Sequence, residues 1–219
     1  MLSPVTRKPA IFLDRDGVIV ENRADYVKSI PEVQILPGAL AALAQAARLD
    51  ARIVVVTNQS AVGRGLLTEA GLHAINAYVH AAIVAAGGRI DGWYFCPHRP
   101  DAGCDCRKPK PGMLLSAAAD LAIDLPASVM VGDAVSDILA GHAAGAQALL
   151  VGTGRGVTQT AELSPAGLGH VLVVRDLAAA VRRIAASSHF TKTPPDGGVG
   201  NLLRPGILPH NPPADSAPP

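Results

Sequence analysis

Short apolar runs alternate with alanine-rich stretches along most of the chain. The runs at 10–13 (AIFL) and 52–57 (RIVVVT) are rich in branched and aromatic side chains and predict buried strands. The stretch 37–49 begins with a proline and places Leu40 and Leu43 at helical spacing, which predicts a helix. Further strands are predicted at 92–95, 128–131, 148–151 and 171–174, and further helices at 68–86, 112–122, 136–144 and 176–186.

This alternation predicts an α/β fold, a Rossmann-like parallel sheet with helices on both faces. Strands that are apolar throughout are typical of a sheet that is covered on both sides. Such sheets bind ligands outside the carboxyl ends of their strands. The predicted domain covers residues 1–187. We expect 188–219 to be a flexible tail, because 194–219 contains eight of the 18 prolines and no aromatic residue.

The composition narrows the classes of function. Hydrophobic residues make up 49% of the 219 residues and charged residues 17%, which is enough for a packed core. A net charge of +1 and an aromatic content of 3% argue against a nucleic-acid-binding surface. No apolar run approaches the ~20 residues of a membrane span, and the run at 10–13 is too short for a signal peptide. We therefore expect a cytoplasmic protein that acts on a small molecule, with no nucleic-acid or membrane partner.

Acidic residues follow two of the predicted strands. Asp14 and Asp16 leave the first strand and precede Gly17, and Asp133 follows the strand at 128–131. Two acids at a strand end repel each other unless a cation lies between them or one keeps its proton. A third carboxylate from another strand end would complete an oxygen-rich site for a hard cation such as Mg²⁺. Taken alone, each motif is also explained by turn formation or helix capping.

Polar and basic residues mark two further positions. Thr57, Asn58 and Gln59 end or follow the second strand and could hold phosphoryl oxygens, although such residues are also ordinary turn formers. Lys108 follows Arg107 in a proline-rich turn, whose stiff backbone would hold the lysine in place. A solvated basic turn is the alternative for that motif.

Three cysteines and one histidine lie within the eleven residues 96–106, in the pattern C-x-H-x₅-C-x-C. Cys96, His98, Cys104 and Cys106 supply the four ligands of a tetrahedral structural zinc ion, with no position left open for catalysis. Free thiols are the alternative, since a disulfide within Cys-x-Cys would close a small strained ring. We predict a structural Zn²⁺ that fixes this loop and aims the two cations that follow it into the site.

In this order the four motifs resemble the haloacid dehalogenase (HAD) superfamily, whose members mostly transfer phosphoryl groups through an aspartyl-phosphate. The resemblance implies that Asp14 is the nucleophile and that Asp16 acts first as general acid and then as base. It implies that Thr57 and Lys108 stabilise the charge of the phosphoryl group. It also implies that Asp14, the backbone carbonyl of Asp16, and Asp133 bind Mg²⁺.

The resemblance to the HAD superfamily extends from residue 10 to about 152. The zinc motif and the segment 110–114 (KPGML) narrow it to one branch of the superfamily. They resemble a zinc-bearing branch that contains D-glycero-D-manno-heptose 1,7-bisphosphate phosphatases and histidinol-phosphatases. The branch implies removal of the 7-phosphate of the heptose bisphosphate. The alternatives are histidinol phosphate or another small phosphomonoester as substrate and, outside enzymes, a zinc-stabilised interaction module. Ala134 departs from the branch, since many members carry a basic residue at that position after the aspartate. The glycine-rich run 152–156 is interpreted separately, as the exit from a strand.

The spacing leaves no room for a separate cap domain. Thr57 follows Asp14 by 43 residues, Lys108 follows Thr57 by 51, and predicted elements fill both gaps. An open site must select its substrate through its loops, and we expect a monomer. The anomer of the sugar stays open. The candidate substrate-binding residues are Asn22, Arg23, Asp25, Asn58, Gln59, Ser60, Arg64 and Arg107.

Overall fold

Six parallel strands form one sheet in the computed structural model, which describes residues 6–190. The strands are β1 (Ala10–Leu13), β2 (Arg52–Asn58), β3 (Gly92–Cys96), β4 (Val129–Gly132), β5 (Gln147–Val151) and β6 (Leu172–Val174). Their order across the sheet is β3-β2-β1-β4-β5-β6, and every neighbouring pair is parallel. The predicted parallel α/β sheet is confirmed.

Helices cover both faces of this sheet. They are α1 (Ala39–Ala46), α2 (Ser60–Gly63), α3 (Glu69–Ala85), α4 (Gly112–Leu121), α5 (Val135–Ala143), α6 (Gly156–Gln159) and α7 (Leu177–Ala185). Successive strand residues point to opposite faces. Ile11 and Leu13 therefore pack with α1, α3 and α7, whereas Phe12 and Met130 pack with α4 and α5. Both layers are apolar and buried, which explains why the strands are apolar throughout.

Local capping sets several helix bounds. Thr68 accepts a hydrogen bond from the Gly71 amide at 3.0 Å, and Asp176 accepts one from Ala179 at 2.8 Å, so that α3 and α7 begin at the next residue. Helix α1 begins two residues after the predicted start at 37, because Gly38 lies in the left-handed region with a φ of 79°, and it ends at Ala46 rather than at 49. The four-residue helices α2 and α6 have too little periodicity to be predicted from the sequence.

The packed domain extends three residues beyond the predicted boundary at 187. Ser188–Phe190 form a short 3₁₀ turn, and Phe190 is buried among the side chains of the α1–α7 layer. The rest of the predicted tail, 191–219, and residues 1–5 lie outside the described residues. Within 6–190, no helix combines the length and apolar character needed to span a bilayer.

The register of the three central strands positions the candidate residues. Leu13 pairs with Val55 of β2 and with Val131 of β4. Asp14 is therefore level with Val56 and Gly132, and Thr57 and Asp133 each lie one residue further along the chain. The strand order reverses between β1 and β4, since β2 lies on one side of β1 and β4 on the other. Ligands bind at such switch points, where the loops diverge and leave a crevice.

Candidate active site

Three buried carboxylates meet at the switch point. Asp14, Asp133 and Asp137, here called the oxygen cluster, bring one carboxylate oxygen each to within 4.8 Å of one another. Lys108 lies among them, with its Nζ 3.1 Å from Asp14 Oδ1 and 2.7 Å from Asp137 Oδ1. That ammonium also donates to the Val56 carbonyl at 2.8 Å and is 2% exposed. The lysine is therefore held firmly against the predicted nucleophile.

Burial and neighbouring charge control the protonation of this cluster. Burial raises the pKa of Asp14 to about 6, Lys108 opposes that rise, and Asp137 and Asp16 add to it. Burial also raises the pKa of Asp133, with Asp14 adding to the rise and Arg155 opposing it. Burial alone would lower the pKa of Lys108, but Asp137 and Asp14 outweigh it and the net shift is upward. The geometry therefore favours a charged lysine between carboxylates that carry excess negative charge.

The oxygen cluster fits a hard divalent cation. Its donors are carboxylate oxygens, the ligands that Mg²⁺ prefers. Asp137 accepts hydrogen bonds from the backbone amides of Asp133 and Ala134, both at 3.1 Å, and so orients the loop that carries Asp133. Asp14 and Asp133 are then the carboxylates best placed to hold the ion, with Asp137 as their support.

Asp16 is fixed by a buried clamp. Arg15 is fully buried and donates to both Asp16 oxygens, from Nε at 3.0 Å and from a terminal nitrogen at 2.9 Å. Gln59 donates to Asp16 at 2.8 Å and to the Thr57 hydroxyl at 3.0 Å, and Asn76 of α3 accepts from Arg15 at 2.9 Å. The motifs of the sequence do not predict the roles of Arg15 and Asn76, although a basic residue between two acids at a strand end is a signal for Arg15.

A glycine-rich loop covers Asp133. Gly17 and Gly154 both have positive φ, and a Cβ at either position would overlap the Asp133 carboxylate. Thr153 donates to the Gly17 carbonyl at 2.6 Å, and the Arg155 amide donates to Asp133 at 2.8 Å. The interpretation of 152–156 as a plain strand exit is therefore incomplete, because this loop packs on the oxygen cluster. The glycines at 152, 154 and 156 indicate such a close approach between this loop and Asp133.

A cleft of about 680 Å³ opens above these residues. Arg107 at its wall donates to the Ser60 hydroxyl at 2.7 Å. The cleft is lined by nine of the predicted catalytic and substrate-binding residues: Asp14, Asp16, Asn22, Arg23, Thr57, Asn58, Ser60, Arg107 and Lys108. Tyr26, Lys110, Ser136 and Arg155 also line it and were not predicted.

Three predicted substrate-binding residues lie elsewhere. Gln59 is buried in the Asp16 clamp, Arg64 is exposed beyond α2, and Asp25 is exposed and pairs with Lys28 at 2.7 Å. The lining of the described cleft does not include them. Their position in loops near the site predicts contact with substrate, but spacing along the chain does not give the direction of a loop side chain.

The four predicted zinc ligands form a second group beside the cleft, here called the Cys/His cluster. The Cys96–Cys104, Cys104–Cys106 and Cys96–His98 contacts measure 3.6, 3.5 and 3.6 Å, and His98 lies 3.2 Å from Cys106. Tetrahedral ligands about 2.3 Å from a zinc ion lie about 3.8 Å apart, close to these separations. The Cys/His cluster fits a zinc-binding site.

Two contacts hold the chain that follows the Cys/His cluster against β2 and α2. Asn58 at the end of β2 donates to the Lys108 carbonyl and accepts from the Lys108 amide, both at 3.1 Å. Arg107 reaches Ser60 at 2.7 Å, as above. The chain between Cys106 and Lys108 is thus anchored at one end by the cluster and at the other by β2.

The fold and its strand-end residues are those of HAD-like hydrolases, and the family model described as HAD-hydrolase-like matches residues 105–180. The chain is 40% identical over 174 residues to the D-glycero-beta-D-manno-heptose-1,7-bisphosphate 7-phosphatase of Pseudomonas putida, an alignment that covers 80% of this chain and 98% of the relative. Within the HAD-like hydrolases, the chain belongs to the family of these heptose bisphosphate 7-phosphatases.

Solved structures agree. The D,D-heptose 1,7-bisphosphate phosphatase from B. bronchiseptica, complexed with magnesium and phosphate, superposes with a TM-score of 0.76 at 40% identity, over 81% of this chain and 98% of that one. The D,D-heptose 1,7-bisphosphate phosphatase from Burkholderia thailandensis gives a TM-score of 0.62 at 36% identity, over 82% and 100%. The resemblance to the HAD superfamily and to its heptose bisphosphatase branch is confirmed.

Proposed function

We propose that this protein is a phosphomonoester hydrolase that removes the 7-phosphate of D-glycero-β-D-manno-heptose 1,7-bisphosphate and leaves the 1-phosphate. The observation that carries the proposal is the buried Lys108 between Asp14 and Asp137 at the sheet's switch point. The names of the relatives support the heptose substrate and favour the β anomer, which the sequence leaves open. A cytoplasmic location and a monomeric state stay predictions from the sequence.

The reaction proceeds in two displacements on the Asp14 carboxylate. In the first, an Asp14 oxygen attacks phosphorus, the bond from phosphorus to the sugar oxygen breaks, and Asp16 gives its proton to that oxygen. In the second, Asp16 takes a proton from water, the water oxygen attacks phosphorus, and the bond to Asp14 breaks. Phosphate leaves and both aspartates return to their starting states.

Charge stabilisation is the main contribution of the remaining residues. The phosphoryl group carries its charge on three equatorial oxygens, so that catalysis depends on positioned cations and donors. Lys108 and Thr57 line the cleft, where we expect them to donate to those oxygens. Asp14, the Asp16 carbonyl and Asp133 would hold Mg²⁺, which would supply further neutralisation of the phosphoryl oxygens.

Asp16 must keep one orientation while it exchanges a proton. The clamp of Arg15 and Gln59 provides that orientation, since both donate to its carboxylate from buried positions. The clamp also leaves Asp16 at the cleft wall, within reach of a leaving oxygen.

The second phosphate requires a cation at the rim. Arg107 lines the cleft beside Ser60, and a guanidinium matches phosphate geometry with paired donors. We assign the 1-phosphate to Arg107. The Cys/His cluster would bind a structural Zn²⁺ and hold the chain that carries Arg107 and Lys108.

The test is phosphate release from the α and β heptose 1,7-bisphosphates and from histidinol phosphate, measured side by side with Mg²⁺. We expect kcat/KM for the β anomer to exceed that of either alternative by at least about tenfold, or about 1.4 kcal/mol of transition-state stabilisation. A preference for histidinol phosphate would contradict the substrate. The Asp14→Asn variant is the matched control, because it must abolish release from all three.

A further inference from the structure

Arg155 contacts the oxygen cluster in two independent ways. Its backbone amide donates to Asp133 Oδ2 at 2.8 Å. Its guanidinium also reaches this carboxylate, with a terminal nitrogen 3.1 Å from Oδ1 and Nε 3.4 Å from Oδ2. Asp133 is fully buried, whereas the Arg155 side chain is 50% exposed and lines the cleft. The guanidinium therefore covers Asp133 from the side on which substrate enters.

Lys108 and Arg155 both contact the oxygen cluster but are held very differently. Lys108 is almost fully buried and has three oxygen partners. The Arg155 guanidinium has Asp133 on one side and the open cleft on the other. If the guanidinium moves away, the backbone amide still holds Asp133. The loop itself stays in place, because Thr153 is bonded to Gly17 and Gly154 packs against that residue.

The net charge around the oxygen cluster determines whether the contact between the Arg155 guanidinium and Asp133 is favourable. The three carboxylates of the oxygen cluster carry three negative charges, and Lys108 and Arg155 carry two positive charges. These five side chains together therefore have a net charge of −1. A divalent cation alone would turn that charge positive and would repel the guanidinium from a carboxylate it must share. A phosphate dianion bound at the same time would restore a negative charge and offer the guanidinium new oxygen acceptors.

We propose that Arg155 makes Mg²⁺ binding and phosphate binding depend on each other. The guanidinium competes with Mg²⁺ for Asp133 when phosphate is absent, and it donates to phosphoryl oxygens when both are bound. This inference rests on the magnesium site of the proposed function. Its consequence for the reaction is that metal and phosphoryl group assemble together rather than one after the other.

Position 134 explains why this task falls to Arg155. Ala134 follows Asp133 directly and is 3% exposed, so no charge comes from that position. The other cleft arginines are directed elsewhere. Arg107 donates to Ser60 and to the His98 carbonyl, and Arg23 pairs with Asp25 at 3.2 Å.

The experiment titrates the zinc-loaded protein with Mg²⁺ by calorimetry, with and without saturating inorganic phosphate. Mn²⁺, followed by electron paramagnetic resonance, is a second probe. In Arg155→Gln we expect metal binding without phosphate to tighten by about tenfold, within the usual range of coupling between sites. In the wild type, phosphate should tighten metal binding by about tenfold, and in the variant by threefold or less. Arg155→Lys should lie between the two.

Two controls separate the outcomes. Arg175→Gln removes an exposed guanidinium that also pairs with an aspartate, and it should leave both titrations unchanged. Equal coupling in the wild type and Arg155→Gln, with metal binding weakened in Asp133→Asn, overturns the role of Arg155 alone. Unchanged metal binding in Asp133→Asn overturns the magnesium site of the proposed function and this inference with it.

Discussion

The oxygen cluster and the Cys/His cluster adjoin the same cleft but are assembled in opposite ways. The oxygen cluster joins residues that follow β1 and β4 with Asp137 of α5, far from Asp14 in the chain, and its three carboxylates are buried. The Cys/His cluster comes from one segment, 96–106, and only Cys96 among its ligands is buried. The first depends on the whole sheet, and in the proposed function it carries the chemistry. In the proposed function, the second would bind a metal that orders a local loop and would hold Arg107 and Lys108 in position.

The cost of burial also differs between them. Burial raises the pKa of Asp14 and Asp133, and Lys108 and Arg155 limit that rise. Burial likewise raises the pKa of Cys96 and Cys106, so that a bound metal must displace protons from those thiols. Two side chains of the protein, Lys108 and Arg155, thus offset the charge of the oxygen cluster, whereas the ion of the proposed zinc site would offset the charge of the thiolates.

The largest effect is expected from Asp14→Asn. An amide cannot form the phosphoryl intermediate, so kcat should fall by about 10³-fold or more. The substitution keeps the side-chain shape and removes repulsion from Asp137, so the thermal midpoint and the zinc content should change little. Phosphate release, a thermal melt and elemental analysis measure these three quantities. Asp50→Asn at an exposed ion pair is the control, and retention of a tenth of the activity in Asp14→Asn would refute the nucleophile.

Cys104→Ser should affect stability first and activity second. Loss of one ligand should remove stoichiometric zinc and release the loop that precedes Lys108. We expect the thermal midpoint to fall by about 10 °C, which corresponds to a few kcal/mol for a domain of this size. The value of kcat/KM should fall as Arg107 and Lys108 lose their positions. Elemental analysis, melting and kinetics measure these effects.

The matched control for Cys104→Ser is Asp105→Asn. Asp105 lies in the same loop, its side chain is almost fully exposed, and it pairs with Lys110 at 2.8 Å. This change should leave the zinc content intact. A metal-free protein that keeps wild-type kcat/KM would show that the Cys/His cluster has no positioning role.

Asn58→Ala tests the connection between the two clusters. Asn58 holds the Lys108 backbone through two hydrogen bonds, and their loss should cost about 1–2 kcal/mol of stability and reduce kcat by about tenfold. Combined with Cys104→Ser, the losses in kcat should be smaller than their product, since both variants displace the same lysine. Asn58→Asp keeps the acceptor and should be milder. Strict additivity in the double variant would indicate that the two residues act independently.

How much of this arrangement the sequence reveals depends on how each cluster is built. The Cys/His cluster is local, so its spacing identifies all four members. The oxygen cluster is readable because parallel strands end at one edge of a sheet, which brings Asp14 and Asp133 together once the fold class is known. The sheet and most helix bounds follow from periodicity and capping residues.

The roles that the sequence does not predict depend on the direction in which a side chain points. Arg15 turns inward to hold Asp16, and Arg155 reaches Asp133 from a loop that was interpreted as a strand exit. Gln59 was assigned to substrate and lies in the clamp instead. These directions come from packing between elements distant in sequence, and spacing along the chain does not encode them in a readable form.

The smallest effect is expected from Asp176→Ala, which touches neither cluster and so measures how a loss of stability alone affects activity. The Asp176 carboxylate caps α7 by accepting from the Ala179 amide at 2.8 Å, and its loss should cost about 1 kcal/mol at pH 7 with kcat unchanged. That hydrogen bond and the neighbouring Arg175 hold the pKa of Asp176 below its ordinary value of 3.8. The charged cap therefore stabilises the fold above that value, and its contribution disappears as the pH falls through the lower folded-state pKa. Urea midpoints of the wild type and variant should converge as the pH is lowered below 3.8. A constant difference would show that the carboxylate charge adds nothing to the cap.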